Sequence, residues 1–207
     1  MNVLFIIIAL LAAYLIGSFP TAYIVARLRK GVDIREVGSH NLGAMNTFYK
    51  IGFAEGMLVL LTDIGKGALG VAVAHWLGTA LIVEMIAGVT VVLGHGFPVF
   101  LKFYGGRGGA SCIGVLLYFM PWGVPIYLGF FGLGLLITRF PTLSYSLAFV
   151  CFPFIGWLIY HRWELVVFSA CLPIVPLLKY IPRIAEMRRS GGTWKHVVYR
   201  KNFKDRL

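Results

Sequence analysis

The sequence predicts an all-α protein that crosses a membrane about seven times. It predicts one membrane domain over residues 1–207. The chain is 59% hydrophobic and has only 19 basic and 8 acidic residues among 207. A soluble domain is about half apolar and about a quarter charged. In addition, several apolar runs approach the roughly 20 residues that a spanning helix needs. These observations together predict a multi-pass membrane protein.

The apolar runs and the polar residues between them place the spans in order. The first span covers residues 3–28 and contains Gly17-Ser18-Phe19-Pro20, which predicts a break in that helix. The second and third spans cover residues 53–76 and 81–100. Three further spans, the first of them short, fall within residues 111–160. The last covers residues 165–180 and precedes a basic tail over residues 181–207.

The basic residues indicate which way the chain is oriented. Of the 19 lysines and arginines, all but Lys66, within the second span, and Arg162 lie in the loops and tail of one side or at the span ends that adjoin them. The positive-inside rule makes that side cytoplasmic, with the N-terminus outside and the C-terminus in the cytoplasm. Loop bias and contact with anionic lipid head groups also explain the net charge of +11, so nucleic acid is not an expected partner.

The polar loop after the first span contains the stretch in which we expect the chemistry. Residues 38–46 are small, polar and rich in glycine, including Gly43. Backbone N–H groups in such a run can converge on an anion, and Ser39, Asn41 and Asn46 add side-chain donors. The alternatives are a solvated loop with Ser and Asn at turn positions, and a helix cap at Ser39.

Further polar residues accompany this loop. Asp63 and Lys66 lie on one face of the second span, where they can pair; a structural pair is favoured over a proton path. His95 ends the third span, either as a hydrogen-bonded interfacial histidine or with a direct role. A glycine-rich run follows, which can approach a ligand closely or form a tight turn between helices. Its residues are Gly105, Gly106, Arg107, Gly108 and Gly109.

Several classes of site are absent from the sequence. It contains no phosphate-binding Walker motif, no nucleophile elbow and no carboxylate cluster that could hold a metal. The three cysteines are spaced unlike a zinc site. We therefore expect no metal and no cofactor. The hydroxyls, amides, backbone N–H groups and arginines on the cytoplasmic side are those that bind phosphate.

Ordered motifs give the chain a resemblance to a known family. They are Tyr-Leu-Ile-Gly-Ser-Phe-Pro at 14–20, Gly-Val-Asp-Ile-Arg-Glu-Val-Gly-Ser-His-Asn-Leu-Gly-Ala-Met-Asn at 31–46, Asp63 with Lys66-Gly67, Gly94-His95 followed by Pro98-Val99-Phe100, and Gly105-Gly106-Arg107-Gly108. The chain resembles a divergent member of the bacterial integral-membrane glycerol-3-phosphate acyltransferases of the acyl-phosphate-dependent PlsY type.

This resemblance implies a function and roles for residues. The family transfers an acyl group from acyl phosphate to the 1-hydroxyl of glycerol 3-phosphate, which gives lysophosphatidic acid. It implies seven spans in the bacterial cytoplasmic membrane and an active site on the cytoplasmic side. Ser39 matches the family's essential serine, and the glycines at 105, 106 and 108 match its acceptor-phosphate loop. Besides these substrates and membrane lipids, an enzyme that produces the acyl phosphate is a candidate partner.

The chain departs from the family pattern at several positions. Met45 and Tyr49 replace a threonine and an arginine, and Tyr104 and Arg107 replace two lysines. In the third motif, a gapless alignment puts Tyr180 and Arg183 in place of a histidine and an asparagine and finds no glutamate. A displaced version of that motif at residues 199–202 is the alternative.

Functional alternatives follow from these departures. Arg183 could bind the acceptor phosphate or anchor lipid. A divergent homologue could acylate another phosphorylated polyol, because the residues expected to hold the acceptor have changed. A transporter or accessory membrane protein would use Asp63 and Lys66 as a gated pair, but transporters more typically carry internal repeats, and none is visible.

The charge distribution gives a testable topology. A reporter fused after Leu207 should behave as a cytoplasmic marker, and one inserted at residues 161–163 should behave as an exported one, because the basic loops stay in the cytoplasm. Paired reporters at the two positions measure this directly. Both reporters on the same side would contradict the seven-span topology.

Overall fold

The computed structural model describes residues 2–191, and within them the secondary structure is helical, without a strand. Residues 2–191 form eleven α-helices and one short 3-10 helix, Val99–Leu101. The α-helices are α1 Val3–Ser18, α2 Thr21–Lys30, α3 Ala44–Lys50, α4 Phe53–Trp76, α5 Leu81–Gly96, α6 Gly109–Phe119, α7 Gly123–Thr138, α8 Pro141–Ala148, α9 Cys151–Leu158, α10 Trp163–Cys171 and α11 Ile174–Gly191.

The helices agree with the apolar runs of the sequence. Five helical segments among the described residues are long and apolar enough to cross a membrane: Val3–Lys30, Phe53–Trp76, Leu81–Leu101, Pro141–Leu158 and Trp163–Arg189. Two shorter apolar helices, Gly109–Phe119 and Gly123–Thr138, lie between them. The all-helical membrane class is therefore confirmed. The span count of seven and the side on which each end lies stay predictions.

The predicted break in the first span is present. α1 ends at Ser18 and α2 begins at Thr21, so Phe19 and Pro20 lie outside both helices. Pro20 has no N–H group, and its ring disfavours helical geometry at the residue before it. α2 then ends at Gly31, which adopts a left-handed conformation with φ of 67° and donates its N–H to the Arg27 carbonyl.

The chain divides into two compact units, Met1–Phe119 and Met120–Leu207. In the first unit, α1 packs against α5 and α4 packs against α6. Glycines bring these backbones together: a side chain at Gly17 would collide with the Val91 backbone, and one at Gly114 would collide with the Ile64 backbone. Small residues at such crossings are typical of helix pairs in membranes.

In the second unit, α7 packs against α8 and α9 packs against α10. The hydroxyls of Thr138 and Ser144 hydrogen-bond at 3.0 Å where the first pair meets. The last predicted span is interrupted after α10, and α11 continues past residue 180 to Gly191. Pro182 lies within α11 and does not end it, so the helix continues beyond the predicted end of the span at residue 180, and that span end stays a prediction. The single-domain assignment over residues 1–207 stays a prediction.

Large apolar side chains cover the outer surface of both units. Phe53 is 75% exposed and Leu136 is 77% exposed, and many others share this exposure. A surface so apolar is unfavourable in water, whereas lipid chains cover it without cost. The exposed faces therefore fit the hydrocarbon interior of a bilayer.

Candidate active site

The loop between α2 and α3 is packed against the protein rather than solvated. Ile34 is fully buried and Leu42 is 4% exposed, and both belong to an apolar cluster with Ala26, Val59 and residues around them. The loop has about a dozen residues, and these two side chains anchor it. Each Å² of apolar surface that they bury stabilises the packed loop by about 25 cal/mol. The packing explains how a glycine-rich loop keeps a defined shape.

Asn46 organises this loop from the inside. Its amide oxygen accepts a hydrogen bond from the Ser39 N–H at 3.1 Å. Its amide nitrogen lies within hydrogen-bonding distance of the carbonyl oxygens of Ile34 at 3.1 Å, Val37 at 3.0 Å and Asn41 at 3.2 Å. The side chain is 3% exposed. Asn46 therefore acts as an internal tie for the loop that carries Ser39.

Gly38 and His40 turn the chain around Ser39. Both adopt left-handed conformations, with φ of 65° and 55°. A side chain at Gly38 would collide with the Asn46 amide, so glycine is required there on two grounds. The His40 Nδ1 lies 2.8 Å from the Arg35 carbonyl oxygen, which holds the second turn. Ser39 itself is half-buried between them.

A carboxylate–guanidinium contact stabilises the start of the loop. Arg35 donates to Asp33 through both Nε and a terminal nitrogen, the latter at 2.7 Å. These hydrogen bonds lower the pKa of the Asp33 carboxyl and raise the pKa of the Arg35 guanidinium. Because the pKa of Asp33 is lower in the folded protein than in the unfolded chain, the contact stabilises the fold at neutral pH. This stabilisation is lost as the pH falls from the usual pKa of aspartate through the depressed one.

The glycine run between the 3-10 helix and α6 lies directly against the end of α5. The Gly106 N–H donates to the His95 carbonyl at 3.1 Å. A side chain at Gly106 would collide with the His95 ring and with the Leu42 carbonyl, and one at Gly105 would collide with the His95 carbonyl. The absence of side chains therefore lets this run reach both His95 and the first loop.

A buried polar cluster lies beside His95. The Lys66 ammonium is 2.9 Å from Asp63 Oδ1 and donates to the Phe19 carbonyl at 3.2 Å. The His95 Nδ1 is 3.7 Å from the same Asp63 oxygen. All three side chains are at least nine-tenths buried. The pair indicated by the sequence spacing is thus present, and it connects the helix break to His95.

One pocket of the first unit joins these parts. It is lined by residues 17–22 around the helix break, by Leu42 of the first loop, by the cluster of Asp63, Lys66 and His95, and by Pro98 and the glycine run at 105–106. Five residues that the sequence singled out therefore lie around one pocket. They are Asp63, Lys66, His95, Gly105 and Gly106.

The other predicted site residues lie apart from this lining. Most are on the two loops that contribute Leu42 and Gly105–Gly106 to it, or in the first turns of the helices that follow those loops. On the loops are Ser39, Asn41, Gly43, Arg107 and Gly108, whereas Asn46 is in α3 and Gly109 begins α6. Arg183 is in the second unit, where its guanidinium is paired with Glu186 at 2.6 Å. The displaced third motif at residues 199–202 lies outside the described residues.

Sequence reasoning did not select two residues of the lining, Ser18 and Thr21. Both are buried, and neither hydroxyl has a hydrogen-bond partner in the part of the chain that the structure describes. They flank the helix break, which the sequence did predict. The sequence could have indicated them, because a break within a membrane span must lie against protein or water. Two hydroxyl residues next to such a break are therefore candidates for a polar site.

The fold and the pocket define a multi-pass membrane protein with a buried polar site at a broken helix. A family model described as glycerol-3-phosphate acyltransferase matches residues 7–190. A relative named glycerol-3-phosphate acyltransferase 2, from Dehalococcoides mccartyi, is 49% identical over 100% of this chain and 99% of its own length. A glycerol-3-phosphate acyltransferase of Endomicrobium trichonymphae is 34% identical over 87% of this chain and 91% of its own length.

The structural comparison agrees. The crystal structure of PlsY, an integral membrane glycerol 3-phosphate acyltransferase, in its glycerol 3-phosphate form, is similar with a TM-score of 0.77 and 26% identity. The match covers 98% of this chain and 95% of that one. The chain belongs to the glycerol-3-phosphate acyltransferase family, and the resemblance expected from the sequence is confirmed.

The hydrogen bonds of Asn46 predict the effect of a near-isosteric change. Asn46→Asp replaces an N–H donor by an oxygen that faces three carbonyl oxygens, so the loop should lose about 1–3 kcal/mol of stability. Proteolysis of residues 31–43 should become faster and the melting temperature should fall. Asn41→Asp places the same charge on a half-buried residue of the same loop and serves as the control. Equal proteolysis in both variants would contradict the role of Asn46.

Proposed function

We propose that the chain transfers a fatty acyl group from an acyl phosphate to the 1-hydroxyl of glycerol 3-phosphate, giving lysophosphatidic acid and phosphate. Membership of the family supports the acyl transfer. The observation that carries the assignment to this site is that the glycine run, the first loop and His95 meet at one buried pocket. The loop residues gathered around this pocket can position two phosphorylated substrates beside it, in an environment with little water.

In this proposal the acceptor phosphate is bound by Ser39, Arg107 and backbone N–H groups of the glycine run. The Gly106 N–H is engaged with the His95 carbonyl, so the neighbouring amides of the run supply the backbone contacts. Arg107 can hold a phosphate through two parallel hydrogen bonds, whereas lysine offers a point charge. Asn41 and His95 orient the acceptor hydroxyl or the leaving phosphate, and Asn46 and Gly43 keep the loop in shape.

The reaction needs little covalent help from the protein. The acceptor oxygen bonds to the acyl carbonyl carbon, the bond from that carbon to the phosphate oxygen breaks, and phosphate leaves with the electron pair. The hydroxyl proton passes to a phosphate oxygen of a substrate. Because an acyl phosphate is already an activated mixed anhydride, the residues act chiefly by positioning and by balancing negative charge.

We also propose the cellular setting. The enzyme lies in the bacterial cytoplasmic membrane with its active site on the cytoplasmic side, which the distribution of basic residues supports. The acyl chain of the donor lies between helices and enters from the bilayer. An enzyme that produces acyl phosphate is the expected partner, because such a mixed anhydride has to be supplied by an acyl-activating reaction.

The donor is tested with the purified full-length protein in lipid. We expect lysophosphatidic acid to form from palmitoyl phosphate and glycerol 3-phosphate without added metal, and mass spectrometry of the product checks this. Palmitoyl-CoA at the same concentration is the comparison. Turnover from the thioester together with none from the acyl phosphate would contradict the proposed donor.

The acceptor-phosphate site is tested at Arg107. A charge-assisted hydrogen bond is worth roughly 1.5–3 kcal/mol, so Arg107→Gln should raise the KM for glycerol 3-phosphate at least about tenfold. The apparent affinity for the acyl phosphate should change little. Arg183→Gln should raise that KM less, because its guanidinium is already paired with Glu186.

Lys102→Gln is the matched control for Arg107→Gln, because Lys102 is an exposed cation just before the same glycine run. Its loss should leave the KM for glycerol 3-phosphate nearly unchanged. If Arg107→Gln and Lys102→Gln have the same KM as the wild type, the acceptor phosphate binds elsewhere. If Arg107→Gln keeps the wild-type KM for glycerol 3-phosphate and the enzyme uses a different polyol phosphate efficiently, the alternative acceptor is favoured.

A further inference from the structure

Two buried hydroxyl groups at the helix break have no partner in the described part of the chain. Ser18 is fully buried and Thr21 is 6% exposed, and neither side-chain oxygen makes a hydrogen bond there. Such a state is unfavourable, because a buried hydroxyl has lost its hydrogen bonds to water. Both residues line the pocket that also contains Lys66 and His95. A polar group bound in that pocket would complete their hydrogen bonding.

The size of the pocket limits what this group can be. The space open to a water-sized sphere is about 10 Å³, close to the minimum that one water molecule needs. A phosphate group, with its four oxygen atoms around phosphorus, is too large for that space. The ligand that fits is a single oxygen atom with its hydrogen, carried either by water or by one hydroxyl of a larger molecule.

The charges around the pocket favour a neutral ligand. Apart from His95, the formally charged side chains of its lining are Asp63 and Lys66, which are paired with each other at 2.9 Å. The Lys66 ammonium also donates to the Phe19 carbonyl. An anion in this pocket would therefore face the Asp63 carboxylate, and the lysine that lines the pocket among the described residues is already paired with that carboxylate. A hydroxyl, which both donates and accepts, matches the hydroxyls of Ser18 and Thr21.

We propose that this pocket binds the 2-hydroxyl of the glycerol 3-phosphate acceptor through Ser18 and Thr21. The proposal rests on the proposed function and identifies two residues that select the acceptor. The reacting 1-hydroxyl has to reach the acyl carbon, and binding of the 2-hydroxyl at the helix break leaves the 1-hydroxyl free to do so. Gly105 and Gly106 line the same pocket, so the proposed phosphate loop lies beside it, as a three-carbon acceptor requires.

The test compares two acceptors that differ by one atom. 3-Hydroxypropyl phosphate keeps the phosphate and a primary hydroxyl but lacks the 2-hydroxyl. In the wild type, kcat/KM should favour glycerol 3-phosphate by at least about fivefold, the value of one buried hydrogen bond of ordinary strength. In Ser18→Ala and in Thr21→Val this preference should fall towards one, because the loss affects glycerol 3-phosphate and spares the deoxy analogue.

Thr62→Val is the matched control for these variants. Its hydroxyl already donates to the Leu58 carbonyl at 2.8 Å in its own helix, and Thr62 is not part of the pocket lining. This variant should keep the full wild-type preference. The ratio of kcat/KM for the two acceptors is also measured on the wild-type enzyme alone. That measurement remains decisive if Ser18→Ala or Thr21→Val fails to fold.

Each outcome decides the proposal. Equal kcat/KM for the two acceptors in the wild type overturns it. A full preference retained in both pocket variants also overturns it and leaves a bound water as the occupant of the pocket. If the wild type acylates both acceptors, the proposed function stands whatever the ratio. If it acylates neither of them, the proposed function fails and this inference fails with it.

Discussion

The Phe19 carbonyl is freed where the first span breaks, and inside an apolar layer it must find a donor. Lys66 supplies that donor from α4, and Asp63 balances the charge of Lys66. Removing one partner of a buried ion pair typically costs about 3–5 kcal/mol, so neither charge can be lost alone. Because the same carboxylate also lies beside His95, one interaction holds α1, α4 and the end of α5 around the pocket.

The second constraint is close approach between backbones. Gly17 and Gly114 allow α1 to contact α5 and α4 to contact α6, and Gly105 and Gly106 allow the glycine run to lie on His95. In lipid there is little hydrophobic force between helices, so close packing of small residues has to hold them together. Gly17, Gly105 and Gly106 serve a second purpose as well, because they line the pocket of this unit.

The first loop shows how a polar segment becomes a defined part of a site. Ile34 and Leu42 bury it from below, while the Asn46 amide ties its backbone from within. From the sequence, Asn46 resembled Ser39 and Asn41 as a donor for substrate. In the structure its amide hydrogen-bonds within the loop, to the Ser39 N–H among other groups, and its role toward substrate stays a prediction. The two kinds of asparagine cannot be distinguished by residue type, because the difference lies in which carbonyls surround the amide.

The sequence by itself determined the membrane class, the helical segments, the break at Pro20 and the family, because these depend on local composition, on proline chemistry and on ordered motifs. It also indicated the ion pair of Asp63 and Lys66, since two residues that are three positions apart in a helix lie on the same face. Only the tertiary structure decided that this pair lies beside His95 and that Ser18 and Thr21 share their pocket. Those neighbours are distant along the chain, and helix packing, not local sequence, brings them together.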